Sequence, residues 1–232
     1  MAKVKTTKLD IIRCASETFF EKGYSATSPK MICEALDIST GNLTYYFPTK
    51  EHLLAEFVEM LCDYQQEMME IEAHEGVSSV LSVCLELTTM AAMCEDNEIA
   101  KDFYLSTYTS PLCLQIIRRS DAQRNKRVFQ EYCPDWTDGQ FTEAEIIVSG
   151  IEYATLMTTG DPVPLENRIA GALNNILTVF QVPEEIRKVK IRKVLAIDYH
   201  KIGQRVLRDF KKFIENTNEA ALEALLNAKK GS

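Results

Sequence analysis

Apolar residues recur every three or four positions along nearly the whole chain, and no segment keeps the strict alternation typical of a half-buried strand. Residues that cap or stop helices divide this pattern into roughly ten segments. Outside the motif described next, the predicted helices cover 7–22, 50–73, 77–94, 97–109, 111–132, 142–159, 164–181, 183–216 and 219–227. The sequence therefore predicts an all-α fold. A small N-terminal bundle, residues 1–54, is joined by the 50–73 helix to a larger helical bundle, residues 55–232.

Residues 27–54 contain two short helical patterns that are joined by a tight turn and followed at once by the long 50–73 helix. Ser28 suits the N-cap of the first helix, and Pro29 fits the next position, where its missing N–H costs nothing. Asp37 occupies the turn, where we expect a left-handed backbone that Asp tolerates better than most residues. Ser39 caps the second helix, whose small first-turn residues leave it free to enter a DNA major groove. The spacing predicts a helix-turn-helix motif.

Two sets of polar side chains on this motif are predicted to contact DNA. Asn bonds bidentately to adenine and Thr contacts the thymine methyl group, so we assign side chains of the second helix to bases. Hydroxyls, helix N-termini and ammonium groups hold phosphates and fix the register of a protein on DNA. The predicted base contacts are Thr40, Asn42 and Tyr46, and the predicted phosphate contacts are Ser28, Ser39, Tyr45 and Lys50.

The N-terminal region resembles the tetracycline-repressor (TetR) family of bacterial transcription regulators over about residues 9–54. The family pattern ILxAAxxLFxExGY corresponds here to IIRCASETFFEKGYSATS, and SxGxLYxxFxxKExLL corresponds to STGNLTYYFPTKEHLL. Cys33, Asp37 and Thr44 depart from the usual Ala, Gly and Tyr. The resemblance therefore does not define how Thr44 and the neighbouring Tyr45 contact the phosphate. The matching residues are Phe20, Gly23, Tyr24, Thr27, Ile32, Ser39, Gly41, Leu43, Phe47, Lys50, Glu51 and Leu53.

This resemblance implies a transcription regulator, most often a repressor, whose operator affinity falls when an unidentified small-molecule effector binds in the larger domain. Effector pockets of this kind are mostly apolar with a few polar groups. Core packing is the competing explanation for each pocket residue taken singly. The predicted pocket residues are Met90, Cys94, Tyr104, Tyr108, Trp136 and Met157.

A two-fold homodimer is expected, because one short recognition helix reads only a few base pairs and useful specificity needs two half-sites. The partner is therefore a palindromic double-stranded DNA operator. The resemblance places the dimer interface on two late helices, which contribute two helices from each subunit. The predicted interface residues are Ile146, Ile147, Gly150, Tyr153, Ala154, Ile169, Leu173, Ile176, Leu177 and Phe180.

The net charge of −8 conceals an uneven distribution of charge along the chain. Residues 1–54 carry seven Lys/Arg against six Asp/Glu, residues 55–182 carry seven against twenty-one, and residues 183–232 carry twelve against seven. The acidic middle lies away from the predicted DNA-reading end. So small an excess of basic residues at that end predicts modest non-specific affinity and reliance on well-placed contacts.

Several classes of function are disfavoured. The seven cysteines are scattered without a CxxC pair, which favours reduced thiols in a cytoplasmic protein over a disulfide framework or a zinc site. The three histidines are too far apart in sequence to suggest a metal site. No signal peptide, membrane-spanning run or motif of a common enzyme class is recognised. We therefore expect no enzyme, no cofactor, no metal and no membrane association.

Three alternatives stay open. The first is a helical ligand-binding or protein-interaction module whose DNA-reading motif is vestigial; the second is a small-molecule-modifying enzyme. The third is a thiol redox sensor, which would need an exposed cysteine of low pKa. On the leading interpretation, the effector acts through the 50–73 helix. A roughly rigid helix about 35 Å long turns a small tilt at the pocket into a larger shift at the DNA.

Overall fold

A computed structural model describes residues 6–74, 79–218, 220 and 222. These residues form eleven helices and no strand, which confirms the all-α prediction. The helices are α1 Lys8–Lys22, α2 Pro29–Leu36, α3 Thr40–Tyr46, α4 Lys50–Ala73, α5 Val80–Asp96, α6 Glu98–Thr109, α7 Pro111–Phe129, α8 Asp138–Met157, α9 Leu165–Val179, α10 Glu184–Leu195 and α11 Tyr199–Asn216. The helix predicted over 219–227 falls mostly outside the described residues, as do the first two residues of the one predicted over 77–94.

Side-chain caps set the helix boundaries of the N-terminal region. The hydroxyls of Ser28 and Ser39 accept hydrogen bonds from the backbone N–H groups of Met31 and Asn42, three residues on. These bonds satisfy N–H groups that a helix terminus would otherwise leave unpaired. Asp37 ends α2 in the left-handed conformation, with φ 50° and ψ 46°, as predicted for the turn.

The helix predicted to begin at Thr142 begins four residues earlier. Thr137 and Gln140 form a capping box, in which each side chain accepts a hydrogen bond from the backbone N–H of the other residue. Such reciprocal bonding satisfies two orphan donors at once and favours a helix start at this position. The loop predicted over 134–139 is correspondingly shorter at its C-terminal end.

The long helix predicted over 183–216 is two helices, α10 and α11. At the break, the Ala196 N–H bonds to the carbonyls of Lys193 and Val194, and the Asp198 carboxylate accepts a hydrogen bond from the Lys201 N–H. A short polar side chain that caps a new helix competes with continuation of the old one. The apolar spacing is continuous across this break, so periodicity alone did not reveal it.

The larger bundle is built around α5, nearly all of whose residues are buried. This helix contacts α4, α6, α8, α9, α10 and α11. The N-terminal helix α1 packs against α4, α6 and α11, so the predicted DNA-reading end is attached to the larger bundle by more than the chain connection. The division into domains at residue 54 stays a prediction, because α4 packs into both cores.

No helix among the described residues has the length and apolar character needed to cross a bilayer.

Candidate functional site: a DNA-reading surface linked to a buried acidic cavity

The recognition helix α3 is held by two apolar side chains, and its opposite face is open. Leu43 and Phe47 are buried in the core that they share with α1, α2 and α4. Thr40, Gly41 and Thr44 are exposed on the other side. An α-helix in this orientation can present its first turns to base edges in a major groove.

Of the predicted base contacts, only Thr40 lies fully on the open face. Asn42 is half-buried at its edge, and the hydroxyl of the half-buried Tyr46 lies 3.5 Å from the carbonyl oxygen of Thr6. Thr44, which was not assigned to a base, stands on the open face with its hydroxyl donated back to the Thr40 carbonyl at 3.1 Å. Thr44 lies four residues after Thr40, so the two share one face of the helix, and this spacing was the signal that could have identified it.

The four predicted phosphate contacts differ in how many hydrogen bonds their polar groups already make within the protein. Ser28 and Ser39 accept N-cap hydrogen bonds, and each hydroxyl keeps its proton for donation. Tyr45 is 81% exposed, and its ring rests edge-on against Tyr46 with centroids 5.0 Å apart. Three of the four groups are therefore open to a phosphate on this surface.

Lys50 is the exception, because its ammonium group is anchored inside the N-terminal region. Its Nζ donates to the backbone carbonyls of Tyr24 and Thr27, each at 2.8 Å, and lies 4.0 Å from the centroid of the Tyr24 ring. Burial lowers the pKa of this ammonium. Two of its three donors thus fix the segment before α2 onto the start of α4, and one is left for a phosphate.

Asp102 joins the DNA-reading end to the larger bundle. Its Oδ2 accepts a hydrogen bond from the backbone N–H of Ser25 at 2.9 Å. A Cβ on Gly23, where φ is +89°, would lie 2.8 Å from the same oxygen, so the two segments meet closely. Asp102 lies on α6, which also supplies Phe103 and Tyr104 to the cavity described next.

A cavity of about 40 Å³ lies between α4, α5, α6, α7 and α8. Three of the predicted pocket residues, Met90, Tyr104 and Tyr108, line it. Trp136 is not part of this cavity and lies in an aromatic cluster with Phe141, where the ring centroids are 5.2 Å apart. Cys94 and Met157 are not among the lining residues either. Aromatic, Met and Cys side chains at helical spacing are equally typical of core, so sequence could not separate the two sets.

Carboxyl groups are the part of this cavity that the sequence reading missed. Glu86, Asp121 and Glu152 line it, and the fully buried Glu145 lies beside them. The Tyr108 hydroxyl donates to Glu152 Oε2 at 2.9 Å. Glu145 and Glu152 are seven residues apart on α8, and this spacing on an otherwise apolar face was the available signal.

The pKa values of these acids are raised, first of all by burial. The pKa of Glu145 rises to about 8, with the Glu152 carboxylate as the next cause. The pKa of Asp121 is raised by burial and then by Glu152 and Glu145. Burial also raises the pKa of Glu152. The three carboxyls are thus close enough to disfavour one another's charged forms.

Arg124 is the main counter-charge of this acidic group. Its guanidinium forms ion pairs with Glu86 and, at 3.1 Å, with Asp121. The Asn125 amide donates to Glu145 Oε1 at 2.5 Å. These partners stabilise part of the buried charge, but Glu145 Oε2 has no hydrogen-bond partner.

The residues predicted at the dimer interface are exposed where they lie on α8 and buried where they lie on α9. Ile146, Ile147, Gly150, Tyr153 and Ala154 are exposed on α8. The five residues chosen on α9, which are Ile169, Leu173, Ile176, Leu177 and Phe180, are at most 2% exposed within a single subunit. Their apolar stripe packs into the subunit's own core and cannot also meet a partner. The outer face of α9 instead carries small and uncharged polar residues, namely Gly171, Asn174, Asn175 and Thr178.

The cysteines do not resemble reactive thiols. None of the seven forms a disulfide within the described residues, and burial raises the pKa of Cys33, Cys113 and Cys133, and that of Cys94 to about 12. A redox-sensing cysteine needs the opposite shift. Within the described part of the chain, no three His, Cys, Asp or Glu side chains are arranged to hold a metal ion.

Residues 11–57 match the sequence model of the family described as bacterial regulatory proteins, tetR family. The chain is also 40% identical over 131 residues to a probable HTH-type transcriptional regulator, YttP, of Bacillus subtilis (strain 168). That match covers 54% of this chain and 62% of the relative, so the chain spans less than two thirds of the relative's length.

Two solved structures align with most of this chain. SmeT, the repressor of the Stenotrophomonas maltophilia multidrug efflux pump SmeDEF, is 18% identical with a TM-score of 0.50, over 78% of this chain and 97% of that one. A gamma-butyrolactone receptor (ArpA-like protein) is 18% identical with a TM-score of 0.45, over 87% and 96% of the two chains.

The fold and the motif define a helix-turn-helix protein with a helical C-terminal domain. Over residues 11–57 the chain is similar to bacterial regulatory proteins of the tetR family.

Proposed function

We propose that this protein is a dimeric DNA-binding transcription regulator, a repressor whose operator affinity is lowered by a small-molecule effector. The single observation that supports this most is the open polar face of α3, with Leu43 and Phe47 anchoring the opposite side. Capping by Ser39 adds to it, since a capped first turn presents a defined helix N-terminus to a groove. The protein acts in the cytoplasm on a palindromic double-stranded operator.

Selection of bound sequences from random DNA duplexes tests this proposal. We expect enrichment of two inverted half-sites with a fixed spacing, since two recognition helices of a dimer reach successive major grooves about 34–36 Å apart. Binding should weaken steeply with added salt. Failure to enrich any sequence, with salt-insensitive binding, would favour the alternative of a ligand-binding or interaction module with a vestigial motif.

Two helices connect the cavity to the DNA-reading surface and support the effector mechanism. The helix α4 contributes Val58 and Leu61 to the cavity wall and begins at Lys50, which holds the segment before α2. The helix α6 contributes Tyr104 and, two residues earlier, holds Ser25 through Asp102. The helix α6 therefore provides a second connection beside α4. A ligand that separates α4 from α6 would move the recognition helices off successive grooves.

Lys50→Met and Asn42→Ala should weaken DNA binding in different ways. Lys50→Met removes an ammonium group, so it should weaken binding to all DNA sequences about equally. The slope of the logarithm of the binding constant against the logarithm of salt concentration should become flatter by roughly one unit. The stability of the N-terminal region should also fall. Asn42→Ala should relax preference at one base position, at a cost of about 1–3 kcal/mol. Binding measured at several salt concentrations on the selected operator and on single-base variants gives both quantities. Identical behaviour of the two variants would contradict the separation of positioning from reading residues.

Asp102→Ala should uncouple the effector from the operator. Coupling is reciprocal, so in the unaltered protein operator DNA should weaken effector binding by the same factor by which the effector weakens operator binding. We expect that factor to fall toward one in the variant, because the α6 contact to Ser25 is lost, while each ligand alone still binds. Asp96→Ala, on α5 and away from this contact, is the matched control. If the coupling factor is unchanged in Asp102→Ala, the effect of the ligand on operator binding passes through α4 alone.

A further inference from the structure

We propose that the cavity between α4 and α8 binds a compact organic cation, an amine or quaternary ammonium ion. This inference rests on the proposed function, because it names the chemical class of the effector. Three properties of the site support it: an excess of carboxyl groups, an unpartnered buried polar group on the wall, and an aromatic lining.

The carboxyl groups outnumber their cationic partners. Four acids, Glu86, Asp121, Glu145 and Glu152, lie in or beside the cavity. Arg124 pairs with Glu86 and Asp121, and Arg118, which acts on the charge of Glu145, donates to the Ser149 hydroxyl at 2.9 Å. Burial without enough cationic partners disfavours the charged forms of these carboxyls, and an added cation would stabilise those charged forms.

Polar atoms in this region also lack partners. Gln65 is 3% exposed and lines the cavity from α4, and its Nε2 has no hydrogen-bond partner. This NH2 group is a donor, so a bound cation would require the amide to turn by half a rotation and present its carbonyl oxygen instead. Glu145 Oε2 and Asn125 Oδ1, both fully buried, are unpartnered as well. Unpaired buried polar groups are rare in folded proteins, and each one calls for an explanation such as a missing ligand.

Aromatic side chains form the rest of the wall. Phe103, Tyr104 and Tyr108 line the cavity together with Met90. Ring faces attract cations, and the attraction strengthens when the cation has lost its water. The combination of aromatic faces with carboxylates selects an organic cation over a neutral or anionic molecule of the same shape.

The size of the cavity links binding to movement. At about 40 Å³ the cavity has room for only one or a few water molecules. A second cavity of about 20 Å³ shares four lining residues with it, Leu61, Gln65, Phe103 and Tyr104. A ligand that occupies both must displace these side chains of α4 and α6. Those are the two helices that reach the DNA-reading surface, so entry of the cation would drive the conformational change.

Calorimetric titration of the full chain without DNA, at pH 8, tests the inference. The probes are benzyltrimethylammonium and its neutral isostere neopentylbenzene, and magnesium ion serves as the inorganic cation. We expect binding of the ammonium only. Glu152→Gln, which keeps an acceptor for Tyr108, and Asp121→Asn should each weaken it by roughly tenfold or more. Glu67→Gln, an exposed acid on α4, is the matched control and should change the affinity less than twofold.

The outcomes separate this inference from the proposed function. Equal binding of the two isosteres, magnesium binding that displaces the ammonium, or an affinity unchanged in both cavity variants would overturn the cation site. Binding of the ammonium with the expected loss in the variants supports it, whatever happens to DNA. If the ammonium then leaves operator affinity unchanged, the site stands and the effector mechanism fails.

Discussion

Glu145→Gln is expected to raise the free energy of unfolding by roughly 3–5 kcal/mol at pH 9 and to change it little at pH 5. The carboxyl is fully buried, accepts one hydrogen bond from Asn125, and leaves its second oxygen unpartnered. Glutamine has the same shape and can keep the bond to Asn125, but it stays neutral at every pH in this range.

The direction follows from the pKa of Glu145, which burial raises from its usual 4.5 to about 8 in the folded protein. Below the unfolded value both states hold the proton, and the group contributes nothing that depends on pH. Between about 4.5 and 8 the unfolded chain releases the proton while the folded protein retains it. The folded state then binds more protons, so stability falls as pH rises and stays low above 8.

The neighbours of Glu145 modify this effect without reversing it. The groups that act on its charge are Glu152 on α8 and Arg118, Arg124 and Asn125 on α7. Removing its charge should also lower the raised pKa of Asp121, one of whose causes is Glu145. Part of the pH dependence therefore disappears from a second group in the same variant.

Chemical denaturation at pH 5, 7 and 9, at one fixed protein concentration, measures the effect. The single tryptophan, Trp136, is a suitable fluorescence probe because its ring packs 5.2 Å from Phe141, at the start of α8. Glu143→Gln is the control, since it makes the same chemical change at an exposed position two residues away. A gain in stability that is equal at pH 5 and pH 9 would show that the charge of Glu145 is not the cause.

Sequence predicted those parts of the structure that depend on local signals. Caps at Ser28 and Ser39, the left-handed Asp37 and the 3.6-residue periodicity each act within a few residues, and the helix-turn-helix and α4 lie where they were predicted. The break at Asp198 was missed because a single cap overrode a continuous apolar stripe.

Sequence could not show which groups meet across the bundle. Lys50 is typical of an exposed phosphate ligand in sequence, but tertiary packing brings its ammonium to the carbonyls of Tyr24 and Thr27. Glu86, Asp121 and Glu145 are far apart in sequence and, taken singly, are typical of a solvated helical surface. Only packing of α5, α7 and α8 turns them into one buried acidic group.

Phe180→Ala should lower the free energy of unfolding by about 3–5 kcal/mol, which is the second large effect that we expect. Phe180, at the end of α9, is fully buried, and its ring stacks on Phe129 with centroids 4.3 Å apart. Removing it would leave a cavity among rings that also include Phe141 and Trp136. A fixed aromatic cluster of this kind relaxes poorly, which places the cost at the upper part of the range for large-to-small changes.

Ile147→Glu should have the opposite pattern, because Ile147 is 57% exposed on the outer face of α8. A charge there costs the single subunit little, but two copies facing each other across a two-fold axis would bury like charges. We expect sedimentation to show dimers for Phe180→Ala under native conditions and monomers at micromolar concentration for Ile147→Glu. If Phe180→Ala instead dissociated the dimer without lowering the stability of the subunit, the buried face of α9 would be the interface.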